Sequence, residues 1–95
     1  MRIVWSVPAR ATIKDIFAYI AVFNSVAAQK VKLNILFSAR KLIDFPEIGK
    51  QSERPGVRLL VVTGSPYILV YTISGDTIEI GSVIDGRMKR SPDLF

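Results

Sequence analysis

The change of hydrophobic period at Val57 constrains this chain more than any other feature. From there on, residues 57–63, 67–73 and 77–84 are β-branched and aromatic runs, separated only by Gly64-Ser65-Pro66 and Ser74-Gly75-Asp76. Connections that short join antiparallel neighbours, so this half reads as a three-stranded meander. Upstream the spacing is helical. Ala9, Ile13, Ile16, Phe17 and Ile20 fall on one stripe, and Ala28, Val31, Ile35, Ala39 and Leu42 on another. Pro8 suits a first helical turn after a cap at Ser6 or Val7, Asn24-Ser25 can end one helix and cap the next, and Pro46 stops the second. Residues 47–56, with Gly49, Ser52, Pro55 and Gly56, read as a loop, and residues 2–6 as a short opening strand. The order β-α-α-β-β-β predicts one α+β domain over residues 1–95. It would be an antiparallel sheet with a two-helix hairpin packed on one face, the first strand joining the sheet through the helix pair.

Leu33, Leu36, Phe37 and Ile43 widen the apolar face of the second helix beyond what one neighbour needs. Two readings stand: a small domain wraps its core around this helix, or part of the face meets something outside the chain.

The chain has neither cysteine nor histidine. That removes disulfides, thiol nucleophiles, the commonest general base and the commonest neutral metal ligand, so neither a metal nor another cofactor is expected. Any active site would run on Arg, Lys, Tyr, Asp or Glu. Thirteen basic against eight acidic residues give a net charge of +5, which favours an acidic or polyanionic partner without telling a protein from a nucleic acid. No apolar stretch is long enough for a membrane span, and residues 1–5 do not read as a signal peptide, so a cytoplasmic protein is expected.

Arg58 is the most conspicuous residue of the strands, since Val57, Leu59, Leu60, Val61 and Val62 around it are all apolar. It reads either as a structural ion pair with Asp85, Glu79 or Glu53, or as a guanidinium aimed into a groove to clamp a phosphate or a partner's carboxylate. Arg87 could share either role. Tyr67 and Tyr71, four apart on one strand, share a face and read as core or rim aromatics as readily as functional groups. Residues 63–84 carry no basic residue, which argues against a stacking platform for nucleic acid on the last strands. The glycines are isolated at turns and strands and make no phosphate loop.

The ordered set of segments resembles the RelE/ParE superfamily of small bacterial toxins, and specifically its ParE branch. Trp5-Ser6 with Ala9, Ile13, Ile16, Tyr19 and Ile20 is similar to the family's opening strand and helix. Ala28, Ile35, Leu42, Phe45-Pro46 and Gly49-Lys50 resemble its second helix and exit, with lysine in place of the usual arginine. The segment Gly56-Val57-Arg58-Leu59-Leu60-Val61-Val62, then Pro66-Tyr67-Ile68-Leu69-Val70-Tyr71, carries the most specific part of the pattern, and Ile78-Glu79-Ile80 with Val83-Ile84 resembles the last strand.

The resemblance implies a toxin of a type II toxin–antitoxin system, with DNA gyrase as its target when free. It implies as partner an antitoxin with a DNA-binding N-terminal domain and an acidic amphipathic segment that wraps the toxin. Operator DNA would be reached only through that antitoxin, and no membrane partner is implied. The resemblance assigns no catalytic residue. It places Lys50, Arg54, Arg58, Tyr67, Tyr71, Asp85, Arg87, Lys89 and Arg90 in a target or antitoxin groove, and Val31, Leu33, Leu36 and Phe37 on an antitoxin-binding helix face. Three further departures from the family pattern fall close together: Gly81 for a large aliphatic residue, Ser82 for a frequent arginine and Asp85 for a histidine before Gly86-Arg87. They leave two alternatives open, a ribosome-dependent mRNA endonuclease of the RelE type and an inactive homologue that only binds antitoxin. If the first strand closes the sheet beside Arg58, Asp85 is expected to pair with that arginine and consume its charge.

Overall fold

The change of period is a change of layer in the molecule. A computed structural model describes residues 1–87, and Lys89 and Arg90 lie outside the described residues. The elements are β1 (Arg2–Trp5), α1 (Val7–Phe23), α2 (Ser25–Asp44), β2 (Lys50–Gln51), β3 (Val57–Val61), β4 (Tyr67–Ser74) and β5 (Thr77–Asp85). The architecture is the expected one, two helices packed on one face of a sheet. The two-residue β2 emerges from what reads as loop, pairing Lys50 with Leu59 and Gln51 with Arg58.

Both helix starts are made by the residues the sequence offers for them. Ser6 Oγ accepts the Ala9 amide at 3.0 Å, and Pro8 sits in the first turn, where its missing N–H costs nothing. Asn24 serves both helices: its own amide donates to the Ile20 carbonyl at 2.8 Å, and its side chain accepts the Ala27 amide at 3.0 Å. The hairpin therefore turns on one residue.

The strand order is β1-β5-β4-β3-β2. The meander β3-β4-β5 is antiparallel, while β1 returns through the helices to lie parallel to β5, with Ile3 opposite Ile78 and Trp5 opposite Ile80. β1 is thus at the far edge of the sheet from β3. This overturns the expectation that β1 would close the sheet beside Arg58.

One face of the sheet builds the core. Leu69 and Tyr71 of β4, Ile78, Ile80 and Val83 of β5, and Val62 beyond β3 bury against Ala9 of α1 and Ile35, Ala39 and Leu42 of α2. The inward set of β5 skips a beat. Val70 pairs with Ser82 but Tyr71 pairs with Ile80, so Gly81 is the unpaired residue of a β-bulge, and the bulge brings both Ile80 and Val83 onto the core face. The Gly81 carbonyl accepts the Ser6 hydroxyl at 2.8 Å, which ties the bulge to the start of α1.

Two glycines in this frame behave oppositely. A Cβ on Gly49 would stand 2.5 Å from the Tyr71 hydroxyl oxygen and 2.6 Å from its ring, whereas a Cβ on Gly81 would meet nothing nearer than the Val70 carbonyl at 4.0 Å. Gly49→Ala is expected to destabilise the protein by about 1–3 kcal/mol, a fall of roughly 5–20 °C in Tm, because the ring it strikes is locked in the core. Gly81→Ala is expected to stay within about 0.5 kcal/mol of wild type. Thermal unfolding followed by circular dichroism measures both, and equal Tm values for the two variants would refute the steric account.

Candidate target groove and partner surface

The residues assigned to a single groove divide among three places. Arg58 and Tyr71 are cross-strand neighbours on the helix-facing side of β3 and β4, and both reach the segment that leaves α2. The Tyr71 hydroxyl donates to the Pro46 carbonyl at 2.7 Å and accepts the Gly49 amide at 3.0 Å. The Arg58 guanidinium donates to the carbonyls of Gly49 at 2.8 Å and Glu47 at 3.3 Å. These four bonds clamp residues 46–49 onto the sheet.

Two expectations are corrected here. Tyr71 is 1% exposed and belongs to the core, not to a groove. Burial pushes its hydroxyl above the ordinary tyrosine value, while the Gly49 amide bond and the Arg58 charge pull the other way. Arg58 does not pair with Asp85, nor is it bridged to Glu79 or Glu53; its partners are main-chain oxygens. The cause is register: Arg58 lies opposite Tyr71 whereas Asp85 lies opposite Tyr67, a separation of about 13 Å along β4 before the strand spacing is added.

The second place is the end of the β4–β5 ladder. Asp85 accepts a bidentate pair from Arg87, Nε to Oδ1 at 3.1 Å and Nη2 to Oδ2 at 2.8 Å, and its Oδ1 also accepts the Arg87 amide at 2.9 Å. Those bonds hold the Asp85 carboxyl below the usual carboxylate range. Half-buried Tyr67 stands opposite; burial, then the Asp85 charge, raises its hydroxyl, with Arg87 opposing. So Asp85 does neutralise an arginine, but the one two residues away.

The third place is the face of the sheet turned from the helices. Arg54, Val57, Val70, Tyr71, Thr72, Glu79, Gly81 and Ser82 line a shallow hollow of about 200 Å³ there, although the Tyr71 ring itself lies in the core. Register puts Lys50, opposite Leu59, on the same side. This hollow is the place sequence reasoning missed. Its signal was the lone glycine in a strand whose inward apolar positions change phase, which marks a bulge.

On the helices the assigned face also divides. Val31 packs against the core cluster and so turns inward, and Leu36 is half-buried. Leu33 and Phe37 are exposed, and with Val26, Lys30 and Asn34 they line a trough of about 490 Å³ along α2. Phe37 continues into a second hollow with Arg40, Lys41, Ile43 and Asp44. The trough is an apolar floor with cations along it. Among the described residues no group of His, Cys, Asp or Glu could hold a metal, and no helix is long and apolar enough to cross a membrane.

Comparison with known proteins agrees with this architecture. The family described as ParE toxin of type II toxin-antitoxin system, parDE, matches residues 3–90. Toxin ParE3 of Caulobacter vibrioides is 27% identical over 96 residues, covering 98% of this chain and 94% of that one. Toxin RelE2 of the same organism is 30% identical over 79 residues, covering 83% of this chain and 88% of that one. A solved chain of the chromosomal ParDE toxin–antitoxin system from P. aeruginosa superposes with a TM-score of 0.80 at 25% identity, over 90% of this chain and 95% of that one. The chain belongs to the ParE toxin family. It is the toxin component of a type II toxin–antitoxin system, and a cognate antitoxin is its partner.

The clamp on residues 46–49 has a measurable signature. Because the Tyr71 hydroxyl titrates higher folded than unfolded, its contribution is complete below about pH 10 and is lost as pH rises through the folded value, where the unfolded chain has already released its proton. Tyr71→Phe should remove that alkaline loss and cost about 1–3 kcal/mol at neutral pH, since it strands a buried amide and carbonyl. Arg58→Ala should cost about 1–2 kcal/mol. Urea titrations between pH 7 and 11 measure all three, and a Tyr71→Phe protein as stable as wild type would dismiss the clamp.

Proposed function

We propose that the free toxin acts by binding DNA gyrase, and that it does not cut nucleic acid. The observation that carries this reading is how the polar groups of the chain are spent. With no histidine, phosphodiester cleavage needs a tyrosine, lysine or carboxylate as base and an arginine on the phosphoryl oxygens. Tyr71 is sealed in the core with both its hydrogen-bonding directions used, Arg58 is held by two carbonyls, and Arg87 is forked onto Asp85. With Tyr71 and Arg58 serving its own frame, the chain acts on a target through surface. Gyrase is the target that the ParE resemblance implies.

Neutralisation fits the α2 trough. An acidic amphipathic segment of the antitoxin would lay its apolar side on Val26, Leu33 and Phe37 and its carboxylates toward Lys30, Arg40 and Lys41. Likeness to Toxin RelE2 favours a second reading, a ribosome-dependent endonuclease, which the same preparation can test.

Supercoiling by purified gyrase is expected to stop, or a cleaved complex to accumulate, at micromolar toxin, while message on translating ribosomes stays uncut in toeprinting. The reverse pattern would establish the endonuclease. Failure of both, with no growth arrest on expression, would leave a homologue that only binds antitoxin. Asp85→His should strengthen the gyrase effect, because it releases the exposed Arg87 guanidinium from its carboxylate. Unchanged inhibition by that variant would show that Arg87 does not meet the target.

A further inference from the structure

Beside the α2 trough, the free flank of α1 is an apolar surface without a role. Phe17 faces α2, where the Lys32 ammonium lies 5.5 Å from its ring centroid. Tyr19, two residues on, is rotated by about 200° and therefore stands on the other side of the helix, with Phe23 one turn further along. Their rings meet edge to face with centroids 5.5 Å apart. Tyr19 is 69% exposed, Val22 79% and Phe23 75%. Such exposure of three large apolar side chains on one flank is the mark of an unfilled contact.

We propose that this flank is a homodimer interface, occupied by a second copy of the chain. Charge decides between occupants. No charged residue lies between Asp15 and Lys30 in the sequence, so the flank and the hairpin turn offer an acidic partner nothing to pair with, whereas the α2 trough carries Lys30 and the hollow that continues it carries Arg40 and Lys41 beside Asp44. Two copies, each at +5, repel wherever basic surface meets basic surface. The flank is where they can approach with apolar atoms alone. The arginine bordering it is already neutralised: Arg87, within electrostatic reach of Tyr19, is forked onto Asp85.

Size and symmetry agree. An aromatic side chain buries roughly 150–250 Å² on full contact, so Tyr19 and Phe23 supply a large part of the ~800 Å² per partner that a standard interface needs, and Val22 extends it. Antiparallel α1 helices related by a two-fold axis would set Tyr19 of each copy against Phe23 of the other, a self-complementary pairing. The pre-set edge-to-face pair means little side-chain freedom is lost on contact.

Sedimentation velocity of the free full-length chain, from about 1 to 200 μM, tests this. A monomer–dimer equilibrium in the micromolar range is expected. It should tighten between roughly 0.05 and 0.5 M salt, because salt screens net repulsion and leaves apolar contact intact. Tyr19→Lys with Phe23→Lys should weaken it at least a hundredfold without lowering Tm, both residues being exposed, and Val22→Lys alone at least tenfold. Leu33→Lys with Phe37→Lys should leave it unchanged. A chain that stays monomeric across the range, a dimer that loosens with salt, or one that survives the α1 substitutions would overturn the proposal. Loss of antitoxin binding on the α1 substitutions, with a monomeric free chain, would give the flank to the antitoxin.

Discussion

The Tyr71 hydroxyl is the point on which the two layers of this molecule are registered. It stands on β4, the middle strand, and bonds the carbonyl of Pro46 and the amide of Gly49 on the segment by which the chain leaves α2 and re-enters the sheet. A buried tyrosine needs a partner for its hydroxyl and the buried Gly49 amide needs one for its N–H; each need is met by the other. Gly49 is a glycine because the ring fills the space a side chain would take. Arg58, directly opposite Tyr71, adds a donor to the same segment, so the charge at an apolar strand is satisfied by carbonyls that the turn would otherwise leave exposed. β2 can then pair with β3 because its approach is fixed.

The second junction is between β5 and α1, and it is made by a smaller device. The Ser6 hydroxyl donates to Gly81 and accepts from Ala9, so one side chain joins the bulge of β5 to the cap of α1. The bulge shifts the alternation so that Ile80 and Val83 both face inward, and it turns Gly81 toward the hollow on the other face of the sheet. The missing side chain leaves room there, but the carbonyl is held, and backbone freedom at that point is limited by a hydrogen bond from another element.

What was legible in the residues was periodic. The stripe from Ala9 to Ile20, the stripe from Ala28 to Leu42, the caps at Ser6 and Asn24 and the short turns of the meander each show in local spacing, and each is where it reads. What was not legible was made of backbone. Arg58 invited a carboxylate because side-chain charges are visible in a sequence, whereas the oxygens of Glu47 and Gly49 become partners only once a turn presents them. The parallel pairing of β1 with β5 depends on the path of two helices, so no local signal announced it. The division of the assigned groove follows from the same blindness: Lys50, Arg58 and Asp85 are all basic or acidic residues near strand ends, but register puts the first on the outer face, the second over the core edge and the third at the far end of the ladder.

Charge placement then separates the surfaces by the partner each can accept. The α2 trough joins Leu33 and Phe37 to Lys30, with Arg40 and Lys41 beside Asp44 following, and so suits a partner that brings both acidic and apolar groups. The α1 flank offers apolar area without charge, and so selects by shape alone. At the end of the β4–β5 ladder, the Asp85–Arg87 fork is local, two residues apart, and held on its carboxylate side by the Arg87 amide as well as the guanidinium. The amide bond holds Asp85 independently of the guanidinium, while Arg87 is 71% exposed and pairs in a solvent that screens the attraction. An incoming carboxylate or phosphate therefore competes with a partner that is oriented but weakly binding. Asp85 sets how much positive potential this end of the sheet presents, and it does so without contributing to the core.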